Sequence, residues 1–366
     1  MRVGIVSFSR RGAVLGERLR IGLKQEGWQA DAFGKGRYMD GIDETDEILK
    51  TCITRIEEPV GQWTGKNFSA FDAFIFVGAC GIAVRSIAPY IRHKTEDPAV
   101  VAVDERGRFA ISLLSGHIGG GNDLTQTAAG IVGAQPVVTT ATDLNQVFAV
   151  DVFAKKNNCH ISDMKVAKEV SARLLAGEPV GFFSDLPGGL SWRGELPAGL
   201  EVSREGEDLD VRPELGISLT LRPKRVQPFS KTLYLIPRVI TVGIGCRRGI
   251  ASRAVADALC RAADQAGLSL SAVSQAASID LKREEPGLVS YCREQKLPFV
   301  TFTAEELGSV EGDFTSSSFV SSVTGVDNVC ERSAVLASGG GRLLRKKTAQ
   351  DGVTVAFAME AWQPVF

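Results

Sequence analysis

Residues 2–27 read RVGIVSFSRRGAVLGERLRIGLKQEG, and this stretch decides the fold class. Its first part, RVGIVSFS, is an apolar run typical of a buried strand. Leu15, Leu19 and Leu23 then recur every fourth residue up to Gly27, which places them on one face of a helix. The stretch therefore predicts a strand followed by a helix, the opening unit of an α/β sheet.

The same alternation continues through the first third of the chain. AFIFVGACG, residues 73–81, predicts a second strand that breaks at its glycines, and the apolar spacing over residues 84–91 predicts the next helix. VVAVDERGRFAISLL, residues 100–114, predicts a hairpin that turns at DERG, and a helix is expected over residues 122–133 before a strand in residues 136–142. We predict a multi-domain α/β protein with layered, mostly parallel sheets and flanking helices.

A chain of 366 residues is long enough for two or three domains. We predict an N-terminal α/β domain over residues 1–145, a smaller central domain with a linker over residues 146–235, and a C-terminal α/β domain over residues 236–366. The segment LRPKRVQPFSKTLYLIPR, residues 221–238, is rich in proline and basic residues and is typical of a crossing between domains.

The composition limits the partners. The 42 basic and 43 acidic residues nearly cancel, so no electrostatic feature favours a nucleic acid or an anionic membrane. The seven cysteines include no C-x-x-C pair, and His93, His117 and His160 lie far apart, so no metal held by the protein is predicted. With no signal peptide or apolar run long enough for a membrane span, we expect a cytoplasmic protein with reduced thiols.

SLLSGHIGGGNDLT, residues 112–125, raises three alternatives. Its glycines have neither the P-loop spacing nor the dinucleotide spacing, and Ser115 precedes the first glycine, so a nucleophile elbow does not fit. Two interpretations stay equally open: a helix start at which glycine amides hold an anion while His117 carries a proton, or a tight turn in which Asn122 or Asp123 caps the helix.

Two further stretches concentrate cations. GIGCRRG, residues 243–249, lacks the dinucleotide fingerprint, and we predict that Arg247 and Arg248 lie at a helix start and bind ligand carboxylates. Cys246 could be a thiol of lowered pKa or an inert buried cysteine. Residues 85–100 place Arg85, Arg92, His93 and Lys94 around a helix end, either as an anion clamp or as a solvated cap.

Several long signatures resemble the CbiG family of cobalamin biosynthesis. VGACGIAVRSIAPYI, KTEDPAVVAVDERGRFAISLLSGHIGGGNDL, PVVTTATD and FAVDVFAKKN are similar to its amino-terminal and central parts. VGIGCRRG, SIDLKREEPGL, VTGVDNVCERSAVLASGG and VTVAFA are similar to the carboxy-terminal domain that it shares with CobE. The resemblance covers nearly the whole chain, although Arg332 and Ser333 stand where the family favours Pro-Ala.

The resemblance implies a cobalt-precorrin-5A hydrolase of the anaerobic vitamin B12 pathway. Such an enzyme opens the δ-lactone of cobalt-precorrin-5A, releases acetaldehyde and gives cobalt-precorrin-5B. Cobalt would belong to the tetrapyrrole substrate, so neither a metal of the protein's own nor an organic cofactor is expected. A homodimer and transient contacts with neighbouring corrin-pathway enzymes are further expectations, and a non-catalytic carrier of tetrapyrrole intermediates is the alternative function.

This chemistry can be fitted to residues of the chain. We expect His117 to act as base and then acid, with Ser115 or Asp123 as orienting groups and glycine amides as oxyanion donors. We expect substrate carboxylates to meet cations of the first and third domains across an interdomain cleft. The full set of expected binding residues is Gly81, Arg85, Arg92, Lys94, Gly116, Gly119, Gly120, Gly121, Asn122, Gly245, Cys246, Arg247, Arg248 and Lys282.

Overall fold

The computed structural model describes residues 1–41, 52–93, 96–117, 119–140, 147–187, 191–204 and 213–366. They form two compact units, Met1–Val147 and Phe148–Phe366. Within the described residues, no helix is long and apolar enough to cross a membrane.

The first unit is a seven-stranded sheet flanked by helices. Its strands are β1 (Arg2–Ser7), β2 (Gln29–Gly34), β3 (Ile53–Arg55), β4 (Ala73–Val77), β5 (Ala99–Val103), β6 (Phe109–Leu114) and β7 (Gln135–Val137). Its helices are α1 (Arg10–Gln25), α2 (Val60–Asn67), α3 (Cys80–Ile87) and α4 (Gly121–Val132). The strands lie in the order β3-β2-β1-β4-β5-β6-β7, and every pairing is parallel except that of β5 with β6.

The opening strand and helix are confirmed. β1 is buried over all but its first residue, and Ser9 caps α1 by accepting a hydrogen bond from the Gly12 amide at 3.0 Å. Leu19 and Leu23 are fully buried, and Leu15 packs against the same core. The four-residue spacing of the leucines therefore reports the face of α1 that covers the sheet.

The predicted hairpin of β5 and β6 is also confirmed. It is followed by a glycine-rich segment, residues 115–117, 119 and 120, which we call the glycine loop. The Asp104 carboxylate accepts the amides of Arg106, Arg108 and Phe109 at 2.7–3.0 Å, which holds the turn between β5 and β6. Burial opposes the charge of this carboxylate, but the three amides outweigh it and lower the pKa of Asp104. β6 runs antiparallel to β5, and the glycine loop then connects β6 to α4.

The second unit contains two five-stranded sheets. The central sheet has the order β10-β9-β11-β12-β8, built from β8 (Cys159–Ile161), β9 (Val180–Ser184), β10 (Leu200–Val202), β11 (Leu215–Leu219) and β12 (Lys231–Pro237). The helices beside it in sequence are α5 (Val150–Lys156) and α6 (Met164–Leu175). The predicted crossing segment, residues 221–238, therefore contains a strand of this sheet, because the alternating apolar residues of TLYLI outweigh the flanking prolines.

The last sheet has the order β15-β14-β13-β17-β16. Its strands are β13 (Ile240–Cys246), β14 (Val273–Ile279), β15 (Phe299–Phe302), β16 (Arg342–Gln350) and β17 (Val353–Met359). Its helices are α7 (Ser252–Ala266), α8 (Pro286–Glu294), α9 (Ala304–Gly308), α10 (Ser318–Thr324) and α11 (Cys330–Ala337). The three sheets confirm the predicted α/β class, while the domain boundaries at residues 145 and 235 stay predictions.

Candidate functional site

A turn at the end of β13 carries the two adjacent arginines. β13 ends at Cys246 and α7 begins only at Ser252, so Arg247 and Arg248 precede the helix instead of starting it, which corrects the prediction. The Arg247 amide donates to the carbonyl of Gly352 at 2.9 Å, next to the adjoining strand β17. Both arginines are exposed, and neither side chain makes a hydrogen bond or ion pair with another residue in the described parts of the chain.

A buried carboxylate holds this turn. Glu285 Oε1 accepts the amides of Gly249 at 2.7 Å and Ile250 at 3.2 Å, and Glu285 Oε2 accepts Lys282 Nζ at 3.0 Å. Burial alone would raise the pKa of Glu285, but the lysine and the two amides lower it below its usual value. Lys282, predicted to bind substrate, is therefore already neutralised by a partner of the same chain.

The arginine turn opens into a large cleft within the second unit. The cleft has a volume of about 1230 Å³, which exceeds the range of roughly 300–1,000 Å³ of most small-ligand pockets. Its walls come from the ends of β13 and β14, the start of α8, the segment 317–330 and the β16–β17 hairpin. The lining residues are Gly245, Cys246, Arg247, Arg248, Gly249, Ile279, Leu281, Lys282, Glu284, Glu285, Pro286, Ser317, Phe319, Val320, Val323, Thr324, Asn328, Val329, Cys330, Lys347, Ala349, Gln350, Gly352, Val353 and Thr354.

One wall of the cleft is apolar and exposed. Leu281, Phe319 and Val323 expose 64%, 76% and 62% of their surface, respectively. Large apolar side chains that are exposed side by side are typical of binding surfaces. The cleft thus combines an apolar wall with the cations Arg247, Arg248 and Lys347, an arrangement suited to a large ligand with both apolar and carboxylate groups.

Cys246 lines the cleft, and its thiol has a raised pKa. Burial raises its pKa to about 11, although the charge of Lys282 acts in the opposite direction. At neutral pH very little thiolate is present, so of the two alternatives for Cys246 the structure favours the inert cysteine.

The glycine loop of the first unit folds back on itself. The amides of Gly120, Gly121 and Asn122 donate to the carbonyls of His117, Ser115 and Gly116 at 2.9–3.0 Å. These three amides would have to leave their partners to hold an oxyanion, so that role stays a prediction. Gly120, with φ of +81°, precedes α4 in a left-handed conformation that favours glycine.

The side chains of this loop are also engaged. Ser115 Oγ donates to the carbonyl of Asp97 at 3.0 Å, and Asn122 bonds to the hydroxyls of Ser112 and Thr140 at 2.8 and 2.9 Å. His117 is half-buried, and Asp123 is exposed in the first turn of α4. At Gly119 an added Cβ would lie 2.4 Å from Ser115 Cβ and 2.6 Å from the Ser115 carbonyl oxygen, so this glycine is required for the tight turn. At Gly116 the added Cβ would lie 2.6 Å from Asn122 Oδ1, and the Asn122 side chain would have to shift.

The predicted cations of the first unit lie around α3. Gly81 is in its first turn and Arg85 in its last turn, and both are exposed. The amide of Arg92 donates to both oxygens of the buried Asp97 carboxylate at 3.1 and 2.9 Å. Lys94 lies outside the described residues. An interdomain cleft that joins these cations to Arg247 and Arg248 stays a prediction, since the two groups belong to different compact units.

The apolar wall of the cleft and the groups that hold it were not predicted from the sequence. Phe319 and Val323 lie in SFVSSVT, a short serine-rich helix that gives no strong periodic signal, and Lys347 is one of several charges in RLLRKKTAQ. The four-residue spacing of Phe319 and Val323 was the one available signal, because it places both side chains on the same face of a helix. In the sequence, Glu285 is one of several charged residues in SIDLKREEPG, residues 278–287, and nothing distinguishes it from the others.

Fold and cleft together define a multi-domain α/β protein with a large cleft that is lined by apolar side chains and cations. Models of "Cobalamin synthesis G N-terminal", "Cobalamin biosynthesis central region" and "Cobalamin synthesis G C-terminus" match residues 62–143, 148–237 and 240–358. The cobalt-precorrin-5A hydrolase of Salmonella typhimurium is 40% identical over 303 residues, which cover 80% of this chain and 83% of that protein. The chain therefore belongs to the CbiG family, which confirms the resemblance.

Two further proteins are similar to this chain. The cobalt-precorrin-5A hydrolase of Priestia megaterium is 29% identical over 88% of this chain and 87% of that protein. The crystal structure of CobE, a protein from the cobalamin (vitamin B12) biosynthetic pathway, is 32% identical and covers 35% of this chain and 94% of that chain, with a TM-score of 0.33.

Proposed function

We propose that this chain is a hydrolase of cobalt-precorrin-5A in anaerobic cobalamin biosynthesis. The observation that carries the proposal is the 40% identity to the Salmonella typhimurium protein of that name over 83% of its length. The cleft in the second unit supports the substrate class, because a corrin precursor has a large apolar ring and many acetate and propionate carboxylates. We further propose that the chain acts in the cytoplasm.

The finer reaction that we propose is the opening of the δ-lactone followed by loss of acetaldehyde. Water adds to the lactone carbonyl and the acyl–oxygen bond breaks, which leaves a carboxylate on the ring A acetate and a hydroxyl on the former bridge. Removal of the hydroxyl proton then breaks a carbon–carbon bond, so that acetaldehyde leaves and the electron pair stays in the conjugated ring, which takes up a proton. Cobalt enters as part of the substrate, and no cofactor is required for this balance.

His117 is the proton carrier that we propose for these steps. An imidazole can accept a proton from the attacking water and return it to the departing alkoxide near neutral pH. Ser115 and Asp123 are the proposed orienting groups, and the hydrogen bond of Ser115 to the Asp97 carbonyl fixes the start of the loop.

A carrier of tetrapyrrole intermediates is the second candidate. One observation favours it: the residues that line the cleft within the second unit include cations and an apolar wall but none of the three histidines of the chain. Such a site could hold a corrin precursor without transforming it.

The two functions differ in the release of acetaldehyde. Purified protein is incubated with cobalt-precorrin-5A, and acetaldehyde is followed through NADH consumption by alcohol dehydrogenase. We expect stoichiometric release over many turnovers. Tight binding of the substrate without release of acetaldehyde would establish the carrier function instead.

The arginine turn should govern substrate affinity. We expect the double substitution Arg247→Gln, Arg248→Gln to raise KM about tenfold or more, with a much smaller change in kcat, because each charge-assisted hydrogen bond to a carboxylate contributes about 1.5–3 kcal/mol. Arg253→Gln is the matched control, since this arginine is exposed on α7 and does not line the cleft. An unchanged KM in the double variant would show that the turn faces solvent in the complex.

A further inference from the structure

Helix α10 presents apolar side chains to the cleft instead of burying them in the core. It contains no fully buried residue, and its three apolar side chains, Phe319, Val320 and Val323, all line the cleft. Val320 also packs partly against the core, whereas Phe319 and Val323 remain more than half exposed. A helix of this length gains little from its own hydrogen bonds and depends on tertiary contacts for its position. The contacts that fix α10 are therefore informative about its role.

One buried carboxylate fixes the chain that leads into α10. Glu331, which is fully buried at the start of α11, accepts the amide of Thr315 through Oε2 at 2.8 Å. The side-chain amide of Asn328 donates to the carbonyl of the same Thr315 at 2.8 Å. Both backbone groups of Thr315 are thus held, three residues before α10 begins.

The same carboxylate also fixes the opposite side of the cleft. Glu331 Oε1 accepts the amide of Lys347 on β16 at 2.6 Å, and Lys347 Nζ lies 3.3 Å from the carbonyl of Thr315. A buried carboxylate is stable only while its oxygens are hydrogen-bonded, so Glu331 couples the approach to α10 to the strand that carries a cleft cation. The far end of α10 is closed by Gly325, whose φ of +80° is a left-handed helix cap.

We propose that α10 is the element that recognises the flat face of the tetrapyrrole, with Phe319 and Val323 in contact with the ring and Glu331 as the residue that positions the helix. The choice of ligand rests on the proposed function. It is supported by charge, because Arg247, Arg248 and Lys347 line the same cleft and complement the carboxylates at the ring edge. The apolar side chains of α10 would then contact the face of the ring, while the cations bind the carboxylates at its edge.

The first test separates these two contributions with stable probes. Cobyrinic acid, a cobalt corrin whose side chains end in carboxylates, and its fully esterified form are titrated into the full chain. We expect Phe319→Ala to weaken both probes about tenfold or more, which corresponds to the loss of a buried aromatic contact. Arg247→Gln with Arg248→Gln should weaken the acid but leave the ester unchanged.

Leu175→Ala is the matched control, because Leu175 is an exposed apolar residue of the same unit that does not line the cleft. We expect wild-type binding of both probes. Unchanged binding by Phe319→Ala, or a loss confined to the acid, would overturn the role of α10. A shift from dimer to monomer in Phe319→Ala with unchanged probe affinity would also overturn it and would assign the apolar face to a second copy of the chain.

The second test addresses the positioning role. Glu331→Gln keeps the side-chain shape but presents one amino group to a backbone N–H, so one of the two hydrogen bonds is lost. We expect a raised KM for cobalt-precorrin-5A with nearly unchanged kcat, and faster hydrogen exchange over residues 315–324. In the double variant with Phe319→Ala, the combined loss in probe affinity should be smaller than the product of the single losses, because both act through the same helix.

If Glu331→Gln prevents folding, Gly325→Ala provides the same test of the position of α10. It strains only the exposed end of α10, since the left-handed conformation disfavours a side chain. We expect it also to weaken both probes, and fully multiplicative losses with Phe319→Ala would contradict the coupling.

A wild-type chain that binds the probes but releases no acetaldehyde would refute the hydrolase function alone, whereas active Phe319→Ala with wild-type KM would refute the inference alone.

Discussion

Replacement of His117 by alanine is expected to lower kcat at least a hundredfold. General acid–base catalysis contributes about 10² to 10⁴ to a rate, and lactone opening needs one proton removed from water and one delivered to the alkoxide. The measurement is the rate of acetaldehyde release at saturating cobalt-precorrin-5A. The substrate affinity should change little, because the cations that we assign to the carboxylates belong to other parts of the chain.

The structure makes this variant interpretable. The backbone of the glycine loop is held by the amides of Gly120, Gly121 and Asn122, so removal of the imidazole leaves these three hydrogen bonds in place. His160→Ala is the matched control, since His160 is an exposed histidine at the edge strand β8, and we expect wild-type turnover. Ser115→Ala loses the hydrogen bond to the Asp97 carbonyl and should lower stability by about 1 kcal/mol.

A His117→Ala protein with wild-type turnover and unchanged folding would restore the simpler interpretation of the loop as a tight turn. The proton carrier would then have to be sought elsewhere. The hydrolase function would survive that outcome, because it rests on family membership and on acetaldehyde release.

The parts of the fold that could be predicted are those in which a local pattern and the tertiary contact coincide. α1 is an example: the spacing of Leu15, Leu19 and Leu23 requires one helical face, and the same face covers the sheet. The hairpin at residues 104–108 is another, because Asp104 satisfies three amides of its own turn. The sequence pattern that predicts each of these two features lies within about ten consecutive residues.

The arrangement of the site depends on contacts between distant residues, which a single sequence does not display. Glu285 reaches back to the amides of Gly249 and Ile250, and Glu331 joins Thr315 to Lys347. Each pairing bridges loops whose approach is set by the sheet order. The prediction that Arg247 and Arg248 start a helix was wrong for the same reason: their turn is held by Glu285, and the helix begins later.

Some glycines have a role that the local sequence predicts, whereas the role of others depends on contacts with distant residues. In residues 115–121 they make a tight turn, which the sequence indicates by their density. In GIGCRRG, Gly243 has a different purpose that no local pattern reveals: α11 crosses β13 at this point, and the strand can lie against the helix only where a side chain is absent.

Gly243→Ala is accordingly expected to be the most destabilising single substitution that we predict. An added Cβ would lie 1.8 Å from the Cys330 carbonyl oxygen and 2.9 Å from Ala334 Cβ, and at the first contact the opposing atom is backbone that cannot rotate away. α11 would have to move off the sheet, which exposes apolar surface around the fully buried Ala334. Overpacking of a well-packed core costs typically about 1–3 kcal/mol, and we expect the loss here to be about 3 kcal/mol or more.

Urea unfolding of the full chain measures this loss through the transition that includes the last sheet. Gly308→Ala is the matched control, because the added Cβ would lie 3.9 Å from Val326 Cγ1 in ordinary contact at the exposed end of α9, and stability should be unchanged or higher by up to about 1 kcal/mol. Because α11 also carries Glu331, the displaced helix in Gly243→Ala should loosen α10 and raise KM before the chain unfolds. A variant that unfolds at the wild-type urea concentration would show that α11 does not approach β13 as closely as these distances require.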